Sequence, residues 1–123
     1  MSRIKRALTQ EELQLLNWLL EHGEPEAKKY MPQLAEVSVI GNCDCGCPTI
    51  DLAVSGKAAT PGSGSTILAD FQGTTPEGVY VGVLVHAREG LLSELEVYAF
   101  IDAKGFSFPK SETLEPWGFK RNA

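Results

Sequence analysis

The chain has 123 residues, a net charge of -5, and 43% apolar against 22% charged residues. This length suits one ordinary domain with a single core, and this composition excludes the highly charged, weakly apolar class of disordered proteins. Residues 36–102 carry two basic against nine acidic residues, which excludes the clustered Lys and Arg of a nucleic-acid surface and favours a basic protein partner instead.

The N-terminal stretch carries positive charge but runs directly into Gln10, Glu11 and Glu12, without the apolar core of a signal peptide. No apolar run approaches the roughly 20 residues that a membrane span needs. The sequence therefore predicts a soluble cytoplasmic protein that binds neither a membrane nor nucleic acid. Thiols remain reduced in that compartment.

The first predicted element is a helix that begins after Thr9 and ends at His22, before Gly23. Thr9 and Glu12 have the spacing of a capping box, in which each side chain binds a backbone donor of the first turn. The apolar residues of this helix span roughly 220° of its surface, more than packing on a sheet requires. A second helix or the C-terminal tail is expected to cover the excess; the alternative is a partner protein or a dimer mate that contacts Trp18.

A short second helix is predicted over residues 26–34, with Pro32 ending or kinking it. The periodicity then changes to that of strands, which are predicted at 36–40, 49–54, 66–72, 79–86 and 91–99. The first two strands form a hairpin, and short turns make the last three antiparallel neighbours.

These elements predict an α+β fold in which two N-terminal helices pack on an antiparallel β-meander of about five strands. We expect a single domain over residues 1–123, helical over 1–35, a sheet over 36–102 and an irregular C-terminal tail over 103–123. Four aromatic residues of that tail are expected to be partly buried against the sheet or the helices: Phe106, Phe108, Trp117 and Phe119.

All three cysteines, Cys43, Cys45 and Cys47, lie in the loop of the first hairpin. With His86, Asp44 or Asp51 as a fourth ligand, they could bind zinc as a tetrahedral site. The spacing argues against this interpretation, because structural zinc sites use two separated pairs of ligands and this loop supplies one cluster. The preferred interpretation is that small sulfur side chains fill a crowded bend, where Gly46 adopts a conformation other residues avoid.

The segments Arg-Ala-Leu-Thr-Gln-Glu-Glu-Leu and Cys-Gly-Cys-Pro-Thr-Ile-Asp, with the later Glu-Val-Tyr, resemble a family of small bacterial proteins of similar length. The resemblance spans residues 6 to about 117. No activity is associated with that family, so it implies no functional residue here.

Two classes of function are open. The first is a non-enzymatic protein-binding domain, of the immunity or antitoxin type, that presents an acidic surface to a basic partner. Its predicted contacts are Glu94, Glu96 and the apolar anchor Trp18. The alternative is a small metal-binding or thiol-based protein built on the cysteine loop, with zinc as its cofactor. No triad or acid and base pair is visible, so the sequence favours a non-enzyme without a cofactor, and a homodimer is compatible with it.

Overall fold

The computed structural model of the protein describes residues 2–43, 46–101, 103 and 105–116. One six-stranded antiparallel sheet carries one α-helix and one long 3₁₀ helix. The strands are β1 (Ser2–Ala7), β2 (Val37–Asn42), β3 (Ile50–Val54), β4 (Ser65–Thr74), β5 (Tyr80–Arg88) and β6 (Leu91–Ala99). Helix α1 (Gln10–His22), the 3₁₀ helix (Pro25–Glu36) and a short 3₁₀ turn (Ser111–Thr113) complete the elements.

The α+β class and the antiparallel sheet are confirmed, but the strand count was wrong. The additional strand is β1, which lies in the stretch assigned to the helical part of the sequence and pairs with β2 at the edge of the sheet. The helices therefore follow a strand. The second helix is of the 3₁₀ type, and the ring of Pro32 within it leaves no backbone N–H to donate.

The sheet is not one meander, because its strands follow the order β1-β2-β3-β6-β5-β4. Two sets of three antiparallel strands, β1-β2-β3 and β6-β5-β4, join where β3 pairs with β6, through Ile50 opposite Leu95 and Asp51 opposite Glu94. The connection over residues 55–64 carries the chain from β3 to the far edge. Ten residues of extended chain can reach about 30 Å, enough to pass the two intervening strands.

The main core lies between α1 and one face of the sheet. It combines four leucines of α1 with alternate residues of the strands, including Leu52, Phe71, Val83, Val85 and Leu95. The capping box of Thr9 and Glu12 is present and begins α1 as the sequence predicts. The 3₁₀ helix contributes the buried Ala27 and the partly buried Tyr30, Met31 and Leu34 beside α1, so it covers part of the wide apolar face of that helix.

The C-terminal segment extends the same core. Phe106 is buried against Val81 and Val97, and Phe108 packs beside them. The backbone of Glu115 pairs with Gln72 at the edge of β4. Burial of the tail aromatics is thus confirmed for Phe106 and Phe108, whereas Trp117 and Phe119 lie outside the described residues.

Candidate functional site

The two faces of β4, β5 and β6 differ in what covers them. The odd-numbered residues of β5 point toward α1 and are buried, while the even-numbered residues point away from it. We call this second face the open face, because Tyr80 and Tyr98 on it are exposed. Residues 58–62 of the loop border one side of it. It presents Asp70, Tyr80, Gly82, Leu84, His86, Glu94, Glu96 and Tyr98.

Three aromatic rings form a cluster at one end of the open face. Phe100 contacts Tyr80 edge-on with ring centroids 5.5 Å apart, and Tyr98 edge-on at 5.6 Å. Between 38% and 48% of each side chain remains exposed. The ring of Tyr98 lies directly over Gly82, where a Cβ atom would come within 2.7 Å of its Cε1 atom. Glycine at this position therefore allows the ring to lie flat across the sheet.

Carboxylates surround an imidazole at the centre of the same face. Glu94 stands directly opposite His86 on the paired strands, and Glu96 lies two residues further along β6. The Nε2 atom of His86 is 2.7 Å from Oε1 of Glu96, and its Nδ1 atom is 3.2 Å from the Ser65 hydroxyl oxygen. The side chain of His86 is only 14% exposed. The ring is thus held between a carboxylate and a hydroxyl.

Burial has the largest effect on the carboxylate of Glu94. It raises the pKa of Glu94, the nearby His86 lowers this pKa, and the charges of Glu96 and Asp51 raise it again. Burial also raises the pKa of Asp51, which pairs directly opposite Glu94 on β3. Within the described residues no hydrogen-bond donor contacts the Glu94 carboxylate. The Glu94 carboxylate can therefore accept a hydrogen bond from a bound molecule.

A groove of about 740 Å³ borders these carboxylates. Asp51, Glu94 and Arg88 line one side of it, and residues 58–62 of the loop line the other. Thr60 of this loop donates its backbone N–H to the carboxylate of Glu89 at 2.8 Å. The loop thus forms a wall beside the acidic cluster, against which a side chain of a bound molecule can be held.

The cost of the Glu94 charge can be measured. Because the folded-state pKa of Glu94 is raised, its ionisation opposes folding as the pH rises above 4.5. Like charges on directly opposed strand residues destabilise a sheet, so Glu94→Gln is expected to raise the free energy of unfolding by about 0.5 kcal/mol at pH 7. Urea unfolding at pH 7 and pH 4 measures this, and the gain should disappear at pH 4.

The matched control for that prediction is Glu112→Gln, which removes a carboxylate from the short 3₁₀ turn, away from the open face. It should change stability by no more than a few tenths of a kcal/mol. A Glu94→Gln protein that is less stable than the wild type at pH 7 would show that the carboxylate is satisfied in the fold.

The residues predicted from sequence do not all meet at one place. Glu94 and Glu96 lie together on the open face, whereas Trp18 lies on the opposite side of the sheet. Its ring stacks on His22 with centroids 4.1 Å apart and meets Phe71 edge-on at 5.1 Å. Trp18 therefore packs against the core and does not share a surface with the two glutamates.

The cysteines and His86 are also separated. Cys47 packs beside the Phe106 cluster, on the side of the sheet that faces α1, whereas His86 points to the open face. Cys43 follows β2 and is half-buried, and Cys45 lies outside the described residues. Gly46 has a φ of 99°, which confirms the unusual conformation expected for it. Among the described residues the group close enough to hold a metal ion is His86 with Glu94 and Glu96.

The aromatic cluster is the part of the surface that sequence analysis missed. The alternation of side chains along β5 and β6 places Tyr80 on the same face as His86, and Tyr98 on the same face as Glu94 and Glu96. The signal that connects the two tyrosines is Gly82, because a glycine within an apolar strand indicates that another group approaches the backbone closely.

In the described part of the chain, no helix is long and apolar enough to cross a membrane. Comparison with family models, with curated proteins and with solved structures gives no match to this chain.

Proposed function

We propose that this protein is a non-enzymatic, cytoplasmic binding domain whose open face binds a basic partner protein. The observation that supports this most is the exposed aromatic cluster of Tyr80, Tyr98 and Phe100, which shares its face of the sheet with the carboxylates of Glu94 and Glu96. Aromatic side chains provide large contact area at low entropic cost, and they attract Lys and Arg through their ring faces. Carboxylates beside them select a cationic partner.

The two parts of the surface act on the same ligand. Tyr98 lies two residues from Glu96 on the same face of β6, and Asp70 and Glu96 both stand opposite Leu84 on the strands that flank β5. An arginine of a partner that stacks on this ring can therefore also pair with a carboxylate. The groove beside Glu94 and Asp51 provides a second position for a cationic side chain.

Immunity and antitoxin proteins are the class of partner-neutralising proteins that this surface suits, because they bind basic partners through acidic faces and associate rapidly by electrostatic steering.

Ser65, His86 and Glu96 also form a hydrogen-bonded array in the order nucleophile, base and acid. Neither of the two described grooves is lined by Ser65 or His86. Ser65 and His86 thus lie outside the lining of both grooves, and this placement supports binding over catalysis.

The experiment that tests the proposal is capture from a cytosolic extract of the native host, with the purified protein as bait. The wild type is compared with the double variant Glu94→Lys, Glu96→Lys, and captured proteins are identified by mass spectrometry. We expect the wild type to capture a basic protein. The variant should capture at least about tenfold less of it. Capture should also fall between about 50 mM and about 500 mM salt.

The matched control is Glu21→Lys, Glu26→Lys, which makes the same change in charge on the exposed helical side. This control should capture the partner as well as the wild type does. Equal loss with both variants would show a general charge effect, and unchanged capture by the open-face variant would remove the proposed surface. A second copy of this chain as the captured protein would indicate a homodimer in place of a basic partner.

A further inference from the structure

The imidazole of His86 and the carboxylates of Glu94 and Glu96 form a compact set of metal-ligating groups. One ligand atom from each residue lies within 4.8 Å of the other two. Metal bonds of 2.0–2.2 Å to nitrogen and oxygen place tetrahedral ligand atoms roughly 3.3–3.5 Å apart. Small rotations about the side-chain bonds therefore suffice to bring all three atoms around one ion.

Two paired strands position these ligands. His86 and Glu94 are register partners, Glu96 lies on the same face of β6, and an irregularity in pairing follows immediately after His86. Such irregularities turn side chains locally and recur beside functional sites. Ligands on rigid strands lose little conformational freedom when an ion binds.

Ser65 supplies an outer interaction that suits a metal-binding histidine. Its hydroxyl is 3.2 Å from Nδ1, so Nε2 remains directed at the carboxylates. Histidines that bind metals commonly donate the other ring N–H to a nearby oxygen, which fixes the tautomer and the ring orientation. With the proton on Nδ1 and donated to Ser65, the lone pair of Nε2 is available to an ion.

We propose that His86, Glu94 and Glu96 form a binding site for a divalent cation of the zinc class on the open face of the sheet. The ligand set of one imidazole nitrogen with two carboxylate oxygens favours zinc and its neighbours over Mg²⁺ and Ca²⁺, which prefer oxygen alone. The ion binds between Nε2 of His86 and the Glu96 oxygen, which separate slightly to admit it.

The Glu94 carboxylate completes the protein ligands. It is half-buried and stands opposite His86 on the paired strand, with a ligand atom within 4.8 Å of those of His86 and Glu96. The Glu96 side chain is 37% exposed, which leaves one coordination position open to water. Three protein ligands with one open position are the arrangement of zinc sites that exchange ligands. The site requires neither the cysteines nor the proposed basic partner.

The test is titration of the full-length, chelator-treated protein with ZnCl₂, followed by calorimetry, and with CoCl₂, followed by absorption. A triple variant with Ser in place of Cys43, Cys45 and Cys47 is measured beside the wild type. We expect this variant to retain saturable binding of about one equivalent of either ion. Cobalt absorption should show ligand-field bands without the thiolate charge-transfer band.

Three variants in the same serine background identify the ligands. Glu94→Gln, Glu96→Gln and His86→Ala should each weaken binding by at least about tenfold, and the two isosteric glutamine changes keep the test valid if His86→Ala fails to fold. His22→Ala is the matched histidine control and should bind as the background does. Loss of binding in the serine background, or binding that the glutamine variants leave unchanged, would overturn the proposal.

Discussion

Replacing Gly23 with Ala is expected to lower the free energy of unfolding by about 3 kcal/mol. Gly23 lies where α1 ends and the chain passes against β4. A Cβ atom there would overlap the carbonyl oxygen of Leu68 and would lie 2.8 Å from the carbonyl oxygen of Leu19. Both obstacles are backbone atoms, which cannot turn aside as a side chain would.

The overlap also affects a hydrogen bond. The backbone N–H of Glu24 donates to the same Leu68 oxygen at 2.8 Å, so movement of β4 away from a new methyl group weakens this link as well. Alanine also lowers the conformational entropy of the unfolded chain, which stabilises the folded protein by less than about 1 kcal/mol and offsets only part of the loss. Urea unfolding followed by circular dichroism measures the difference as a lower transition midpoint.

Gly64→Ala is the matched control for this substitution. Gly64 has nothing within 4 Å of an added Cβ atom, and its backbone is outside the left-handed region. Alanine at this position should leave stability unchanged or raise it by less than about 1 kcal/mol. If the Gly23 and Gly64 variants unfold at the same denaturant concentration, the close contact between α1 and β4 does not exist in solution.

The features that the sequence predicted well are those with local causes. The capping box depends only on Thr9 and Glu12, which are three residues apart. The buried side of β5 depends on valines at alternate positions of the strand. Strand β1 could not be predicted in this way, because Ser2–Ala7 is rich in basic residues. Its conformation depends on pairing with β2, more than thirty residues away in the chain. Strand order was also out of reach, since residues 55–64 can reach more than one edge.

The two glutamates of the candidate site were predictable from the sequence, but their contact with His86 was not. Glu94 and Glu96 follow from the alternation in β6, but their contact with His86 depends on the register of β5 against β6, which an irregularity shifts at that point. The sequence instead suggested that His86 could join the cysteines. Cys47 packs beside Val81, Val97 and Phe106, whereas His86 lies on the open face, and this separation depends on how distant parts of the chain pack together.

Glu12→Gln is expected to lower the free energy of unfolding by about 2 kcal/mol at pH 7, because hydrogen bonds between charged groups are lost from a largely buried position. The two carboxylate oxygens accept hydrogen bonds from Arg6 at 2.8 and 2.9 Å. The Oε1 atom also accepts from the backbone N–H of Thr9 at 2.9 Å. Glu12 thus joins strand β1 to the first turn of α1. Solvent screens the charge of the partly exposed Arg6, which limits the loss to this size.

The pH dependence distinguishes this role from simple packing. Burial alone would raise the pKa of Glu12, but the hydrogen bonds from Arg6 and Thr9 lower it below its ordinary value of 4.5. Stability from a group with a lowered folded-state pKa is present above pH 4.5 and is lost as the pH falls through the folded-state value. The difference between the wild type and Glu12→Gln should therefore be largest near pH 7 and should shrink toward pH 3.

Glu11→Gln is the matched control, because it removes an exposed carboxylate from the same helical turn. Only a favourable interaction with the helix dipole is lost there, about 0.5 kcal/mol. Urea midpoints of the wild type and both variants at pH 7 and pH 3 complete the comparison. A deficit for Glu12→Gln that is equally large at both pH values would mean that the shape of the side chain, and not its charge, joins β1 to α1.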